Sequence, residues 1–132
     1  MRSLVIVLVI LVIFPFNACS QAEEAPLPPD VRTLNVCEAA IESVEARVRI
    51  SGIFDGFGYS NKSLKLTLKS DGLCNDQGAG LAFVTLRDES EREKLFSTLP
   101  GEFIIIEGTI NRIEETRFVY LEDAIVIARF NS

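Results

Sequence analysis

The sequence contains one set of residues whose types and spacing suit ligand binding. Its members are basic or aromatic and lie on two alternating segments and the turn between them: Arg47, Arg49, Lys65, Lys69, Phe57 and Tyr59. Apolar residues occupy the intervening positions, so a period of two directs the basic side chains together to one face, the predicted basic face. Basic side chains beside aromatic rings suit nucleotides, sugars or anionic partners. The alternative is a solubilising surface whose lysines protect a strand.

Residues that usually carry catalysis or bind metal are scarce. The chain has no histidine, which excludes histidine-based triads and most zinc sites. Its cysteines form no C-x-x-C pair, so a thioredoxin-type redox role is not expected. Four acids could act as a general acid and base, although no pattern places them together: Glu114, Glu115, Glu122 and Asp123. We therefore predict a non-enzymatic protein without a cofactor or a metal.

The length and charge of the chain restrict its class. The 132 residues are enough for one domain. The formal net charge is −6, and it falls by one further unit if the segment containing Arg2 is removed. An acidic domain repels phosphate backbones, which argues against general nucleic-acid binding.

The first 18 residues have the features of a secretory signal peptide. Arg2 is followed by an apolar run from Leu4 to Phe14 and then by small and polar residues. This run is shorter than the roughly 20 apolar residues that a membrane-spanning helix needs. We therefore predict export of the chain, with an uncleaved anchor or a buried helix as the alternatives.

Cys19 follows the apolar run at the position where bacteria attach lipid. The stretch Phe16-Asn17-Ala18-Cys19 resembles a lipobox, in which a small residue precedes the modified cysteine. The resemblance implies a protein attached to a membrane through its N-terminal lipid. Ser20 after the cysteine implies the outer membrane, with the domain facing the periplasm. The alternatives are ordinary cleavage after Ala22, which gives a soluble periplasmic or secreted protein, and a disulfide bond to Cys19.

Residues 19–32 are predicted to hold the lipid-attachment cysteine and a flexible tether. The stretch from Gln21 to Asp30 contains three acids and three prolines, so it cannot bury a core. The domain then extends over residues 33–132. Its first element is predicted to be a helix from Thr33 to Ala46, with Asn35 and Glu38 as a capping box.

Five strands and a second helix follow in the predicted domain. The strands alternate apolar and polar residues, and the helix begins with acids and ends at a Pro-Gly pair. The predicted bounds are Val44 to Phe57, Ser63 to Lys69, Leu81 to Leu86, a helix from Asp88 to Leu99, Glu102 to Ile113, and Arg117 to Phe130. This order predicts a mainly β, five-stranded OB-like barrel preceded by a short helix. The alternative is an open antiparallel α+β sheet with helices on one face.

Two cysteines and the segments around them carry a family resemblance. The stretches LNVCEAAIESVEARVRISGIFDGFG and LKLTLKSDGLC resemble small exported bacterial lipoproteins of unknown function with a two-cysteine, OB-like domain. In that group a helical cysteine, here Cys37, precedes a V-x-V-x-G strand, here Val48 to Gly52. A second cysteine, here Cys74, follows the next strand. The resemblance implies a Cys37–Cys74 disulfide, which an oxidising compartment also favours, and it supplies no catalytic residues.

These observations predict a lipid-anchored protein of the cell envelope that acts as a binding module. Its basic face is expected to contact an envelope protein, a glycan or an anionic small molecule. Two alternatives remain open. One is a structural or stress-related envelope protein with no specific ligand, and the other is a hydrolase that uses the acidic residues.

Overall fold

Six strands and two short helices make up the described part of the chain. The computed structural model describes residues 26–58 and 63–130, so the predicted signal peptide and Cys19 lie outside it. In chain order the elements are β1 (Thr33–Asn35), α1 (Val36–Ala39), β2 (Arg47–Phe57), β3 (Lys65–Asn75), β4 (Gly78–Leu86), α2 (Glu89–Glu93), β5 (Phe103–Glu114) and β6 (Phe118–Phe130).

Five of the strands close into a ring of pairings. The order around the ring is β2–β3–β4–β6–β5, and β5 pairs again with β2. The pairing of β4 with β6 is parallel, as is that of the short β1 with the outer edge of β2. The prediction of a mainly β, barrel-like sheet is therefore confirmed. The open antiparallel alternative is wrong, because the β2–β5 pairing closes the sheet and two of the pairings are parallel.

The core fills the inside of this ring. Every second residue of each strand points inward, as the period-two pattern predicted. The buried inward residues are Val48, Ile50, Phe54, Leu66, Leu68, Ala82, Val84, Leu86, Ile104, Ile106, Ile110, Val119, Leu121 and Ala124. Val36 of α1 and Leu95, which follows α2, are also fully buried and extend this core.

Two strand glycines, Gly52 and Gly108, allow neighbouring elements to pack closely. A Cβ atom on Gly52 would come within 2.9 Å of the Leu68 Cβ and 3.2 Å of the Val36 side chain. A Cβ atom on Gly108 would lie 3.3 Å from the Ala124 Cβ. The pairing of β2 with β5 runs through Gly52 without a shift in register, so this glycine makes room for its neighbours and does not form a bulge on that side.

The predicted helix from Thr33 to Ala46 is mostly wrong. The capping box is present, since the Glu38 N–H donates to Asn35 Oδ1 (2.8 Å) and the Asn35 N–H donates to Glu38 Oε1 (3.1 Å). However, the helix covers only four residues, and the three residues before it form β1. The physical reason is that β3 pairs with β2 only from Ile53 onward, which leaves the earlier edge of β2 open to β1.

The predicted tether is partly folded onto the ring. The Leu27 N–H donates to the carboxylate of Glu107 (2.9 Å), and the Leu27 carbonyl accepts from Arg49 (2.8 Å). The ordered unit therefore includes residues before Thr33. Residues 19–25 of the predicted tether lie outside the described residues.

The second half of the chain differs from prediction in two places. The Cys74 segment, expected to be a loop, continues β3 to Asn75 and turns directly into β4. The helix after β4 ends at Glu93 and not at Leu99, because the following backbone N–H groups bond to carbonyls three residues back, Leu95 to Arg92 (3.0 Å) and Phe96 to Glu93 (3.3 Å). β6 is kinked at Asp123, where the backbone φ is positive, 52°.

Candidate functional site

The predicted basic face does not exist as a continuous surface, because two of its arginines are buried in ion pairs. The side chains of Arg47 and Arg49 are only 8% and 10% exposed. Both reach the fully buried carboxylate of Glu107 on the neighbouring strand β5, Arg47 at 3.2 Å and Arg49 at 3.1 Å. The expectation that Arg47 and Arg49 are available to a ligand is therefore wrong.

Further hydrogen bonds satisfy most polar atoms of this ionic cluster, which we define as Arg47, Arg49 and Glu107. Arg47 Nη1 also donates to Thr109 Oγ1 and to the Asp123 carbonyl, each at 3.1 Å. The Leu27 backbone covers the cluster and bonds to both of its charge types. Buried charges are tolerated when they are paired and hydrogen-bonded. All three charged groups of this cluster are paired, and Arg49 Nε is the one nitrogen of its two arginines that is buried without a partner among the described residues. Its role is structural.

A single charged residue in an apolar strand was the sequence signal for this cluster. Glu107 interrupts the run Phe103 to Ile110, in which the other residues are apolar, Gly or Thr. A buried acid of this kind needs cationic partners. Arg47 and Arg49 lie on the strand that pairs with β5, with Arg49 directly opposite Glu107.

The aromatic part of the predicted face is also engaged elsewhere. The Phe57 ring packs edge-on against Phe54, with ring centres 5.4 Å apart. The guanidinium of Arg92 lies 5.5 Å from the Phe57 ring centre. Phe57 is therefore part of the packing at one end of the ring of strands, and Tyr59 lies outside the described residues.

Lys65 and Lys69 lie on a different side of the molecule from the two arginines. Both are exposed on the outer surface of β3. The register places Lys65 opposite Thr85 of β4 and Lys69 opposite Leu81, and β4 in turn lies beside β6. These three strands form an outer surface, the groove face, which the sequence did not predict because its strands are adjacent only in the folded ring.

A groove of about 430 Å³ runs along the groove face. Two aromatic side chains, Phe83 and Tyr120, form its apolar wall. Five polar side chains also line it: Lys65, Thr67, Thr85, Asn111 and Glu122. Among the described residues, none of these five side chains takes part in a hydrogen bond through its own nitrogen or oxygen atoms or in an ion pair with another side chain. The groove therefore offers donors, acceptors and both charge signs that the fold does not use.

The aromatic wall belongs to a ladder of stacked rings and guanidinium groups. Phe83 stacks on Tyr120 with ring centres 4.9 Å apart and lies 6.1 Å from the Phe118 ring. The guanidinium of Arg112 lies 4.1 Å from the Tyr120 ring centre, and that of Arg117 lies 4.1 Å from the Phe118 ring centre. Cation–π contacts of this kind help to fix the positions of the rings. The sequence signal was an aromatic residue at outward positions of β4 and β6.

The four acids that could have formed a catalytic pair are separated. Three have arginine partners: Glu114 contacts Arg112 (3.2 Å), Glu115 contacts Arg117 (3.1 Å) and Asp123 contacts Arg87 (2.7 Å). The hydrogen bonds from Arg87 lower the pKa of the Asp123 carboxyl, and the positive charges of Arg87 and Arg47 act in the same direction. Glu122 alone faces the groove.

The disulfide implied by the family resemblance is present in the structure. Cys37 of α1 and Cys74 near the end of β3 are bonded, with their Cα atoms 5.1 Å apart. The bond joins the leading segment to the hairpin of β3 and β4. Gly80 leaves space for it, since a Cβ atom there would lie 2.5 Å from the Cys74 sulfur.

The described residues form neither a metal-binding group nor a membrane-spanning helix. Within residues 26–58 and 63–130, no three His, Cys, Asp or Glu side chains are grouped so that they could hold a metal ion. No helix in the same ranges has the length and apolar character needed to cross a membrane.

Comparison with known proteins gives information on the fold. Neither a protein-family model nor a curated protein matches the chain. Among solved structures, the chain is similar to part of a proposed aspartyl-tRNA synthetase from Leishmania major Friedlin, with a TM-score of 0.51 and 9% sequence identity. The similarity covers 82% of this chain and 23% of that one, so this chain spans less than a quarter of its length. At this identity the similarity shows the fold alone.

Proposed function

We propose that the chain is a lipid-anchored binding module of the bacterial cell envelope, without catalytic activity, and that it holds its ligand in the groove. The observation that carries the proposal is the set of five polar side chains without intramolecular partners beside the Phe83 and Tyr120 rings. Few convergent polar groups next to an apolar wall are typical of a small-ligand site. The anchor is the lipid on Cys19, as its lipobox-like context suggests.

The strand order supports the finer assignment of the ring as an OB barrel. Its closed order of β2, β3, β4, β6 and β5, with α2 between the third and fourth ring strands, is that of the five-stranded OB fold. OB barrels bind oligosaccharides and oligonucleotides on the face of their second and third strands. In this chain those strands are β3 and β4, which carry Lys65, Thr67, Phe83 and Thr85 of the groove.

The groove chemistry favours a glycan among the three ligand classes. Hydroxyl, amide, ammonium and carboxylate groups together match the many hydroxyls of a sugar, and the Phe83 and Tyr120 rings place an apolar wall beside them. A polyanion is less suited, because Glu122 lies in the groove and the chain is acidic overall. An anionic small molecule is the second candidate, which the free Lys65 and Lys69 favour.

The test is binding of bacterial envelope oligosaccharides to the full-length protein. A glycan array would identify a ligand, and two-dimensional NMR would then locate it. We expect shifts at Asn111, Tyr120 and Glu122, and a loss of affinity of roughly tenfold, about 1.4 kcal/mol, in the Asn111→Ala variant. Glu122→Gln should weaken binding, whereas the matched change Glu93→Gln on exposed α2 should not. Shifts confined to other faces would refute the groove, and an absence of any ligand would favour the structural alternative.

The anchor has its own test. Intact mass of the protein from its host's membrane fraction should correspond to a chain that starts at a lipidated Cys19. A soluble chain that begins after Ala22 would refute the anchor and leave an exported binding domain.

A further inference from the structure

The outer surface of β2, β5 and β6 below the ionic cluster is mainly apolar, with Ser51 of β2 opposite Ile105 as a polar residue within it. The strand register places Ile53 opposite Phe103 and Phe103 opposite Phe130, with Ile105 opposite Ala128 in the next outward row. We define the apolar face as Ile53, Phe103, Ile105, Ile125, Ala128 and Phe130. Phe103 is 39% exposed and Phe130 is 54% exposed, so two aromatic rings of this face are open to solvent. Clustered exposed apolar side chains usually mark an interaction surface.

The first described residues of the chain lie beside this face. Leu27 is hydrogen-bonded to Glu107, which lies on the outer surface of β5 four residues from Phe103. At the rise of a strand, this separation is about 13 Å. Only eight Cα–Cα steps separate Cys19 from Leu27, and they can span at most about 28 Å when fully extended. A lipid on Cys19 therefore keeps the apolar face close to the bilayer.

We propose that the apolar face docks on the surface of the bilayer that holds the lipid of Cys19. This inference rests on the anchor in the proposed function. The exposed rings of Phe103 and Phe130 enter the boundary between headgroups and acyl chains, where apolar side chains strengthen the attachment that lipid provides. The groove lies on β3, β4 and the first half of β6, on another side of the ring, so docking leaves it open to the aqueous compartment.

Other occupants of the apolar face are less suited to it. The residues directly before the described part include Glu23 and Glu24, whose charges favour contact with water over contact with aromatic rings. A second copy carries the same excess of acids, and two such chains repel each other. A bilayer of zwitterionic lipid presents neither obstacle, and the anchor already holds it within reach of this face.

The chain contains no tryptophan, so a single introduced tryptophan reports one position. The Phe130→Trp variant of the full-length lipidated protein is placed in phosphatidylcholine vesicles, with either ordinary or brominated acyl chains. Bromine quenches only rings near the acyl region. We expect quenching of about twofold or more at position 130, as for a side chain at the acyl boundary. Tyr120→Trp, the matched aromatic change on the groove face, should show no quenching.

Each outcome supports or overturns the docking. The Phe103→Trp variant provides a second probe of the face if Phe130→Trp does not fold. Lipidated protein, verified by mass, with no quenching at either position overturns the docking and leaves the anchor intact. A protein without lipid overturns both the docking and the anchor. The docking is also overturned if, without vesicles, the tryptophan emission of Phe130→Trp shifts to the blue as the protein concentration rises. Such a shift would show that a second copy covers the apolar face.

Discussion

Acidic and basic side chains occur in two regions of the molecule, the ionic cluster on β2 and β5 and the groove on β3, β4 and β6. They are buried and paired in the cluster, whereas they have no side-chain partner in the groove. At the cluster, Glu107 accepts from two arginines and from the Leu27 backbone, so its charge is fully compensated and buried. At the groove, Lys65 and Glu122 have no partner among the described side chains. The comparison teaches that charge alone does not mark a binding site. What marks it is polar capacity that the fold leaves unused.

The largest expected effect comes from removing the negative charge at the cluster. In Glu107→Gln, Arg49 loses its counter-charge and Arg47 retains its longer ion pair with Asp123 (3.6 Å), and breaking a buried ion pair from one side costs about 3–5 kcal/mol. We expect the free energy of unfolding, measured by urea denaturation, to fall by about that amount. The same change at the groove, Glu122→Gln, removes no intramolecular contact and should alter stability by less than about 0.5 kcal/mol.

These two variants are controls for each other, because the chemical change is identical. Equal losses of stability in the two variants would mean that the Glu107 and Glu122 carboxylates contribute equally to folding, which would contradict the distinction between the cluster and the groove. A loss below about 1 kcal/mol for Glu107→Gln, typical of exposed ion pairs, would mean that water reaches the cluster.

Loss of the disulfide should give the next largest fall in the free energy of unfolding. The residues around α1 should be affected more than those of β4. Replacement of both Cys37 and Cys74 by serine opens a link across a sequence separation of 37 residues. Chain-entropy estimates put the loss at about 3–4 kcal/mol. Because the bond anchors α1, hydrogen exchange should accelerate most at Leu34 and Val36 and less in β4. The wild-type protein in reductant provides the control and should match the double variant. Uniform acceleration would show that the bond acts only through the unfolded chain.

Local patterns predicted the strands well because alternation depends on neighbouring residues. Val48, Ile50, Leu66 and Leu68 all point inward as their spacing indicated. The leading helix was overestimated, since its capping box indicates where a helix begins but not where it ends. Ile41, predicted to lie on the apolar stripe of that helix, is 74% exposed.

The candidate site could not be read from one segment of sequence. The groove joins Thr67, Phe83 and Tyr120 through an antiparallel pairing and a parallel pairing between strands distant in the chain. Of the predicted basic face, Lys65 lines the groove, whereas Arg47 and Arg49 are buried in ion pairs. The error in that prediction came from treating an outward position as an exposed one, although the segment at Leu27 covers part of the outer surface.

The smallest expected change in stability comes from Asp123, which lies between the ionic cluster and the groove. Its partly exposed ion pair can be compared with the buried pairs of the cluster. Its carboxylate accepts two hydrogen bonds from Arg87, at 2.7 and 3.0 Å, which lower its pKa. A carboxyl whose pKa is lower in the folded state stabilises the protein above its unfolded pKa of about 3.9. That contribution is lost as the pH falls through the folded pKa.

The test is the pH dependence of unfolding in wild-type protein and in Asp123→Asn, a change that keeps the left-handed backbone available because asparagine tolerates a positive φ. The wild type should exceed the variant in stability at pH 7 by less than about 1 kcal/mol, since the carboxylate is partly exposed and water screens the pair. The difference should shrink as the pH falls below 4, where the aspartate becomes protonated. A constant difference down to pH 2 would show that the Arg87 contact acts through packing and not through charge. A loss of stability as large as that of Glu107→Gln would show that Asp123 contributes to folding as strongly as a member of the buried cluster.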